Sequence, residues 1–148
     1  MTDKYPLLSL KDAGVTLKDC VHATPKATDD FGYPYVGIPQ ISDGRLRLAD
    51  ARMISSEDME EWNRKCDIRP NDIVVCRRCS SGISALVPDG FKGSLGQNLV
   101  LLRSDGQTLS QHYLRWAVRG REWWGEVNKY INVGAIFDSL KCKETPSF

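Results

Sequence analysis

The sequence predicts an α+β fold: one domain with a mixed, strongly twisted β-sheet and a few inserted helices. Three observations lead there. Short β-branched and apolar runs of strand length fill the middle of the chain, as in "DIVVCRR", "ISALVP" and "LVLLRS". Gly, Pro, Asn and Asp clusters separate these runs. Two stretches, near residues 55–66 and 108–130, carry helical spacing and helix-end residues instead.

In chain order, "GVTLKDCVHATP" begins with alternation and breaks at Pro25, a strand running into a loop. The segment "KATDDFGYPYVGIPQISDG" is mostly turn chemistry. Tyr35 to Ile41 reads as a short strand, and Asp43-Gly44 turns into "RLRL". "ISSEDMEEWNRKC" is the clearest helix. The Ser55 hydroxyl can accept from the backbone near Asp58, Glu57, Asp58, Glu60 and Glu61 fill the positive end, and Arg64 and Lys65 sit near the negative end. Met59, Trp62 and Cys66 mark its buried face. "DIVVCRR" and "ISALVP" form a hairpin around a Ser-Ser-Gly turn, and "SLGQNLVLLRS" reads as a third strand. Thr108 or Ser110 caps a helix through "QHYLRWAVRG" ending at Gly120. "REWWGEVNKY" is a weaker helix because Gly125 interrupts it, and the tail "INVGAIFDSLKCKETPSF" has room for one last short strand.

With 148 residues, 41% hydrophobic and 26% charged, the chain fits one globular domain with its own core and no repeat. No stretch reaches the roughly 18 consecutive apolar residues needed to cross a bilayer, and the start lacks the basic flank and apolar run of a secretory signal. A cytoplasmic protein with no membrane partner is the expectation. Its five cysteines, an odd number, are then expected as free thiols. The net charge of +1 excludes a uniformly basic chain. Residues 1–76 hold 10 Lys/Arg against 13 Asp/Glu, and residues 77–148 hold 10 against 6, so any basic face belongs to the second half.

The pair Cys76 and Cys79, "CRRC", invites a redox or zinc reading. A redox dithiol needs its first cysteine at a helix N-terminus, where backbone N–H groups lower the thiol pKa, but a turn and a short strand follow here. A zinc site needs a second ligand pair, and Cys20, His22, Cys66 and Cys142 do not form one. Cys76 is expected to pack inward, and no metal or cofactor is expected. Neither His22 nor His112 lies in a metal spacing, "GYPY" lacks the polar residue of a methyltransferase motif, and "LGQN" has too few glycines to cradle phosphate. Arg77 and Arg78, at a strand end beside a turn, suit phosphate or guanine edges, although a solvated or ion-paired arginine fits either one equally well. Trp116, Trp123 and Trp124, interleaved with Arg115, Arg119 and Arg121, are either core or stacking groups.

The segments taken in order resemble the target recognition domain of the specificity subunits of type I restriction-modification systems. "DCVHATP" is followed by "GYPYVGIPQISDGRLRLADARMIS", similar to an aromatic-rich strand leading to a D-I-x-x-G-x-[IL] turn and an x-I-S helix start. "SSEDMEEWNRKCDIRPNDIVVCRRCSSGISALVP" resembles the family's helix, its P-G-D-[IV]-L run, a strand, a glycine turn and a second strand. "LGQNLVLLRSD", "HYLRWAV" and "INVGAIFDSL" are similar to the closing strand, the Tyr-Leu helix and the approach to the final strand. Asn71 stands where the family's turn carries glycine, a tolerated change because Asn accepts φ > 0. Cys79 falls where small residues are usual.

The resemblance implies a non-catalytic module that reads double-stranded DNA and selects the site for a partner methyltransferase subunit. Family members usually carry two such domains joined by long helices, and no apolar heptads occur here. A single recognition domain over residues 1–148, lacking the coiled-coil spacer, is therefore expected. By side-chain chemistry and loop position, His22 to Tyr33, Arg77 to Gly82 and Phe91 to Asn98 are the loops expected in the major groove. Arg77, Arg78, Gln97 and Asn98 are candidates for base edges, and Lys26 and Lys92 for phosphates. His22, Thr24 and Ser81 add polar groups on the same loops, and Arg115, Arg119, Arg121 and Lys129 are candidate backbone anchors. The competing reading is a protein interaction or decoy module of a restriction system that does not read DNA.

Overall fold

The computed structural model describes residues 9–20, 25–28, 32–77 and 82–130. In chain order it contains β1 (Val15–Asp19), β2 (Tyr33–Val36), a 3-10 turn (Ile38–Gln40), β3 (Ile41–Ser42), β4 (Gly44–Leu46), β5 (Arg52–Ile54), α1 (Ser56–Lys65), β6 (Ile73–Cys76), β7 (Ser84–Leu86), β8 (Ser94–Leu95), β9 (Leu99–Ser104), α2 (Gln111–Ala117) and α3 (Arg121–Tyr130). The strands form a six-stranded sheet in the order β1-β9-β6-β7-β4-β3 and a three-stranded sheet in the order β5-β2-β8. Both are mixed, because β4 runs parallel to β7 and β2 parallel to β8 while the other pairs are antiparallel. The α+β class is the one the sequence predicts, with the β structure shared between two sheets.

Strand β6 explains the layering. All four of its residues are buried, so both faces of the sheet are covered. Ile73 and Val75, with Val100 and Leu102 of β9, pack on Leu114 and Val118 of the α2 region and on Trp123 and Val127 of α3. The helix residues are spaced i, i+4, which puts each pair on one helix face. The alternate strand residues Val74 and Cys76, with Leu99 and Leu101, pack on Val36 and Leu95 of the smaller sheet. A side-chain period of two thus feeds two cores from one strand. Each fully buried Val, Leu or Ile here contributes about 1.5–3 kcal/mol of transfer free energy.

The helix ends follow the sequence. Ser55 Oγ accepts from the Asp58 N–H at 3.2 Å, and Ser110 Oγ accepts from the Tyr113 N–H at 3.0 Å. Between the two possible caps of α2, Ser110 is the one used. Gly125 does not break α3; Trp123 and Val127 are buried on either side of it, which offsets the roughly 1 kcal/mol that glycine costs inside a helix. Cys66 is buried just past the last turn of α1, while Met59 and Trp62 are half-buried.

Three strand expectations are corrected. Tyr35 to Ile41 is not one strand: β2 ends at Val36, and the Gln40 side chain accepts from the Gly37 N–H at 2.7 Å to close a 3-10 turn through Pro39. "SLGQNLVLLRS" is likewise divided, because Asn98 at φ 67° reverses the chain between β8 and β9, which lie in different sheets. Strand β5 adds to the expected set, since its three residues are set by pairing with β2 rather than by an apolar run. Asn71 does adopt φ 70°, as expected for a residue standing in for a turn glycine. The anticipated closing strand in the tail lies outside the described residues.

Candidate nucleic-acid interface

The pairing registers bring several connections to one end of the six-stranded sheet. Asp19, at the end of β1, lies opposite Val100, and Cys76, at the end of β6, lies opposite Leu99. β7 begins across from Val75, and Gly44 of β4 lies beside Ala85. Cys20, the Asp43-Gly44 turn, Arg77, Ile83 and the Gln97-Asn98 turn therefore share that end. Two of them are tied directly: the Arg77 N–H donates to the Asn98 carbonyl at 2.7 Å. Asp43, Asn98 and Gly82, at φ 52°, 67° and 93°, bend the backbone sharply here.

A second group approaches from α2 and α3. The Arg119 guanidinium lies 3.5 Å from the Asp43 carboxylate and 5.7 Å from the centre of the Trp116 ring. Arg115 stacks on the same ring at 4.8 Å, and its Nε is buried with no hydrogen-bond partner among the described residues. Trp116 is 58% exposed and Tyr113, one turn earlier, 62%. The ambiguity among the tryptophans is thereby resolved by position. Trp123 is core, with its indole N–H donating to the Gly82 carbonyl at 3.0 Å, Trp124 is half-buried against Gly82, and Trp116 is the outward one. Asp43, Gly44, Gly82, Ser84, Arg119 and Trp124 line much of a cleft of about 290 Å³ between the turn, the hairpin and the α2–α3 corner.

The candidate residues divide accordingly. Arg77, Asn98 and the exposed Gln97 come together, while Arg119 pairs with Asp43 further along the same sheet end. Arg77 lies 3.9 Å from the Asp19 carboxylate. Asn98 is half-buried and its backbone makes the turn. Lys92 does not belong to the same loop as Gln97, since β8 separates them; its neighbour Gly93 packs against Pro34 of β2. The expected loop from Phe91 to Asn98 is therefore corrected to a strand flanked by two short connections. Lys26 is exposed, two residues from Thr28, whose N–H donates to the Met53 carbonyl at 2.8 Å. Arg121 is exposed at the start of α3, and Lys129 lies in its last turn. His22, Thr24, Arg78 and Ser81 lie outside the described residues.

The opposite end of the sheet is clamped by ion pairing. Asp72, 2% exposed, receives Arg103 Nε at 2.7 Å and Nη2 at 2.6 Å, and accepts the Arg69 N–H at 2.8 Å. The Asp72 hydrogen bonds hold the Arg103 guanidinium pKa above its usual value. This pair is structural. The turns and the Arg119–Trp116 contact lie at the other end.

No family model matches the sequence, and no curated protein matches it. Solved structures share its fold. A structure describing complex assembly and conformational transition of the type I R-M system superimposes over 95% of this chain with a TM-score of 0.61 at 14% identity. The type I restriction-modification system S subunit from M. genitalium does so over 95% with a TM-score of 0.61 at 16% identity. The HsdS subunit from Thermoanaerobacter tengcongensis covers 94% with a TM-score of 0.55 at 16% identity. The chain spans about a third of the length of each of these proteins. The fold implied by the sequence resemblance is the fold observed.

Proposed function

We propose that the chain is a sequence-specific double-stranded DNA binding module, a target recognition domain that selects the site for a partner methyltransferase or restriction complex and has no catalysis of its own. The observation that carries this reading is the shared sheet end. There, turns bearing Gln97 and Asn98, the Arg77 strand end and the Arg119–Trp116 stack stand together on a fold similar to type I S subunits.

The chemistry supports a division of labour. A B-DNA major groove is roughly 12 Å wide and presents a distinct pattern of donors and acceptors for each base pair. Gln97 and Arg78 then meet base edges, because amide and guanidinium groups can make paired hydrogen bonds to adenine or guanine. Arg77, 3.9 Å from Asp19, and Asn98, whose backbone turns at φ 67°, shape this end. Arg119, Arg121, Lys26 and Lys92 neutralise phosphates, which fixes register without reading sequence. The net charge of +1 suits this arrangement, since the attraction comes from local placement rather than from the whole chain.

Selection from a random duplex pool tests the proposal. Enrichment of a defined sequence, with binding that weakens steeply as salt rises, is expected. A pool that returns no motif refutes it. Co-purification with a methyltransferase without any DNA affinity would instead favour the interaction-module reading.

A further inference from the structure

Two thiols lie side by side inside the fold. Cys20, directly after β1, and Cys66, directly after α1, place their Sγ atoms 3.7 Å apart, and each residue is only 2% exposed. They share the core between the two sheets with Val36, Val74 and Leu101. Forty-six positions separate them in sequence, so their meeting is a product of the tertiary fold. We propose that Cys20 and Cys66 are a redox-modification site that forms an intrachain disulfide with hydrogen peroxide as the oxidant.

The two sulfurs are not equivalent. One thiol hydrogen-bonds the other; with Cys66 as the acceptor its pKa falls, helped by the positive charges of Lys18 and Arg103 and opposed by burial. The same hydrogen bond, together with burial, raises that of Cys20. The nearby positive charges of Lys18 and Arg103 favour Cys66 as the thiolate that reacts first. Its sulfur attacks a peroxide oxygen, the O–O bond breaks, and the departing hydroxide takes a proton to become water, leaving a sulfenic acid on Cys66. The Cys20 sulfur then attacks the Cys66 sulfur, the S–O bond breaks, and the hydroxide leaves as a second water with the Cys20 proton. Two thiols lose two electrons and one peroxide gains them.

Bond formation needs the sulfurs to close from 3.7 Å to about 2.05 Å. A small neutral oxidant suits a buried pair. The bridge would fasten the edge strand of the six-stranded sheet to the helix that packs on the three-stranded one. Because the loop it closes is long, the oxidised chain should be more stable. This inference does not depend on DNA binding and stands or falls separately from it.

The test treats the reduced full chain with hydrogen peroxide, unfolds it in denaturant with N-ethylmaleimide present to block the remaining thiols, and maps peptides without reductant. The expected product links the Cys20 and Cys66 peptides with a loss of about 2 Da and leaves Cys76 maleimide-labelled. Its Tm should rise by roughly 5–10 °C and return on adding dithiothreitol. Cys66→Ala should abolish both the link and the rise. Three results overturn the proposal: a link through Cys76, Cys79 or Cys142 instead, added oxygen on Cys66 without a link, or full maleimide labelling of Cys20 and Cys66 after unfolding the treated chain. The wild-type peptide map decides even if the variant fails to fold.

Discussion

Replacing Arg119 with alanine separates a phosphate anchor from a structural cation. Arg119 pairs with Asp43 at 3.5 Å, but the two side chains are 38% and 93% exposed, so solvent screens the attraction and its contribution to stability is about 0–0.5 kcal/mol. The stack on Trp116, at 5.7 Å and largely exposed, adds roughly 0.5 kcal/mol. The fold should therefore lose about 1 kcal/mol or less. Removing one cation–phosphate pair from a duplex complex lowers the slope of log K against log salt by about 0.9, and the affinity falls some five-fold at moderate salt. Because a phosphate carries no sequence, the loss should be uniform over binding sites. Asp43→Asn should act in the opposite sense, binding a few-fold tighter, since it removes a carboxylate beside the anchored phosphate. Fluorescence anisotropy of the selected duplex across a KCl series reads both variants. An unchanged salt slope for Arg119→Ala, or a loss confined to one base position, would refute the reasoning.

Three further outcomes are expected. Asp72→Ala should destabilise the fold by roughly 3–5 kcal/mol in urea titration, because it strands the largely buried Arg103 and the Arg69 N–H; a loss under about 1 kcal/mol would show that water reaches the guanidinium. Gly82→Ala should cost about 2–3 kcal/mol, since φ is 93° and an added Cβ would meet Trp124 at 2.9 Å and Val127 at 3.0 Å; calorimetry would read this as a lowered Tm. Arg78→Ala should relax base preference at about one position of the selected motif, by roughly 1–3 kcal/mol, without changing the others; repeating the pool selection with the variant checks it.

Local rules determine more of what is legible in this fold than long-range ones. Ser55 and Ser110 are legible as caps because capping is decided within three residues. The run Ile73 to Cys76 is legible as a strand because its composition fits few alternatives. β5 and the break at Asn98 are not, since both depend on what lies across the sheet: Tyr33 opposite Ile54 in one case, and the change from one sheet to the other in the second. The buried Asp72–Arg103 clamp is equally silent, as its partners are 31 residues apart and nothing in either segment names the other. Trp116 is separable from Trp123 on spacing alone. Leu114 and Val118 define the inner stripe of α2, and a residue two positions on from Leu114 falls on the far side of the helix.

The same contrast bears on where sequence reading of DNA could arise. The two cores fed by β6 and β9 tolerate little change, because every strand residue from Ile73 to Cys76 faces packed neighbours. The sheet end has the opposite property: Gln97 is exposed, and the backbone bends there at Asn98, Gly82 and the Asp43-Gly44 pair. Substitutions at such exposed positions alter hydrogen-bonding groups without disturbing either core. If this end reads DNA as proposed, specificity can change there at little cost in stability, and its base contacts would then be the part of the protein least written into periodicity and composition. If Gln97→Ala left duplex preference unchanged while Gly82→Ala abolished it at temperatures where the fold persists, backbone shape rather than side-chain readout would be the determinant, and the division of labour proposed for the two sets of residues would have to be reversed.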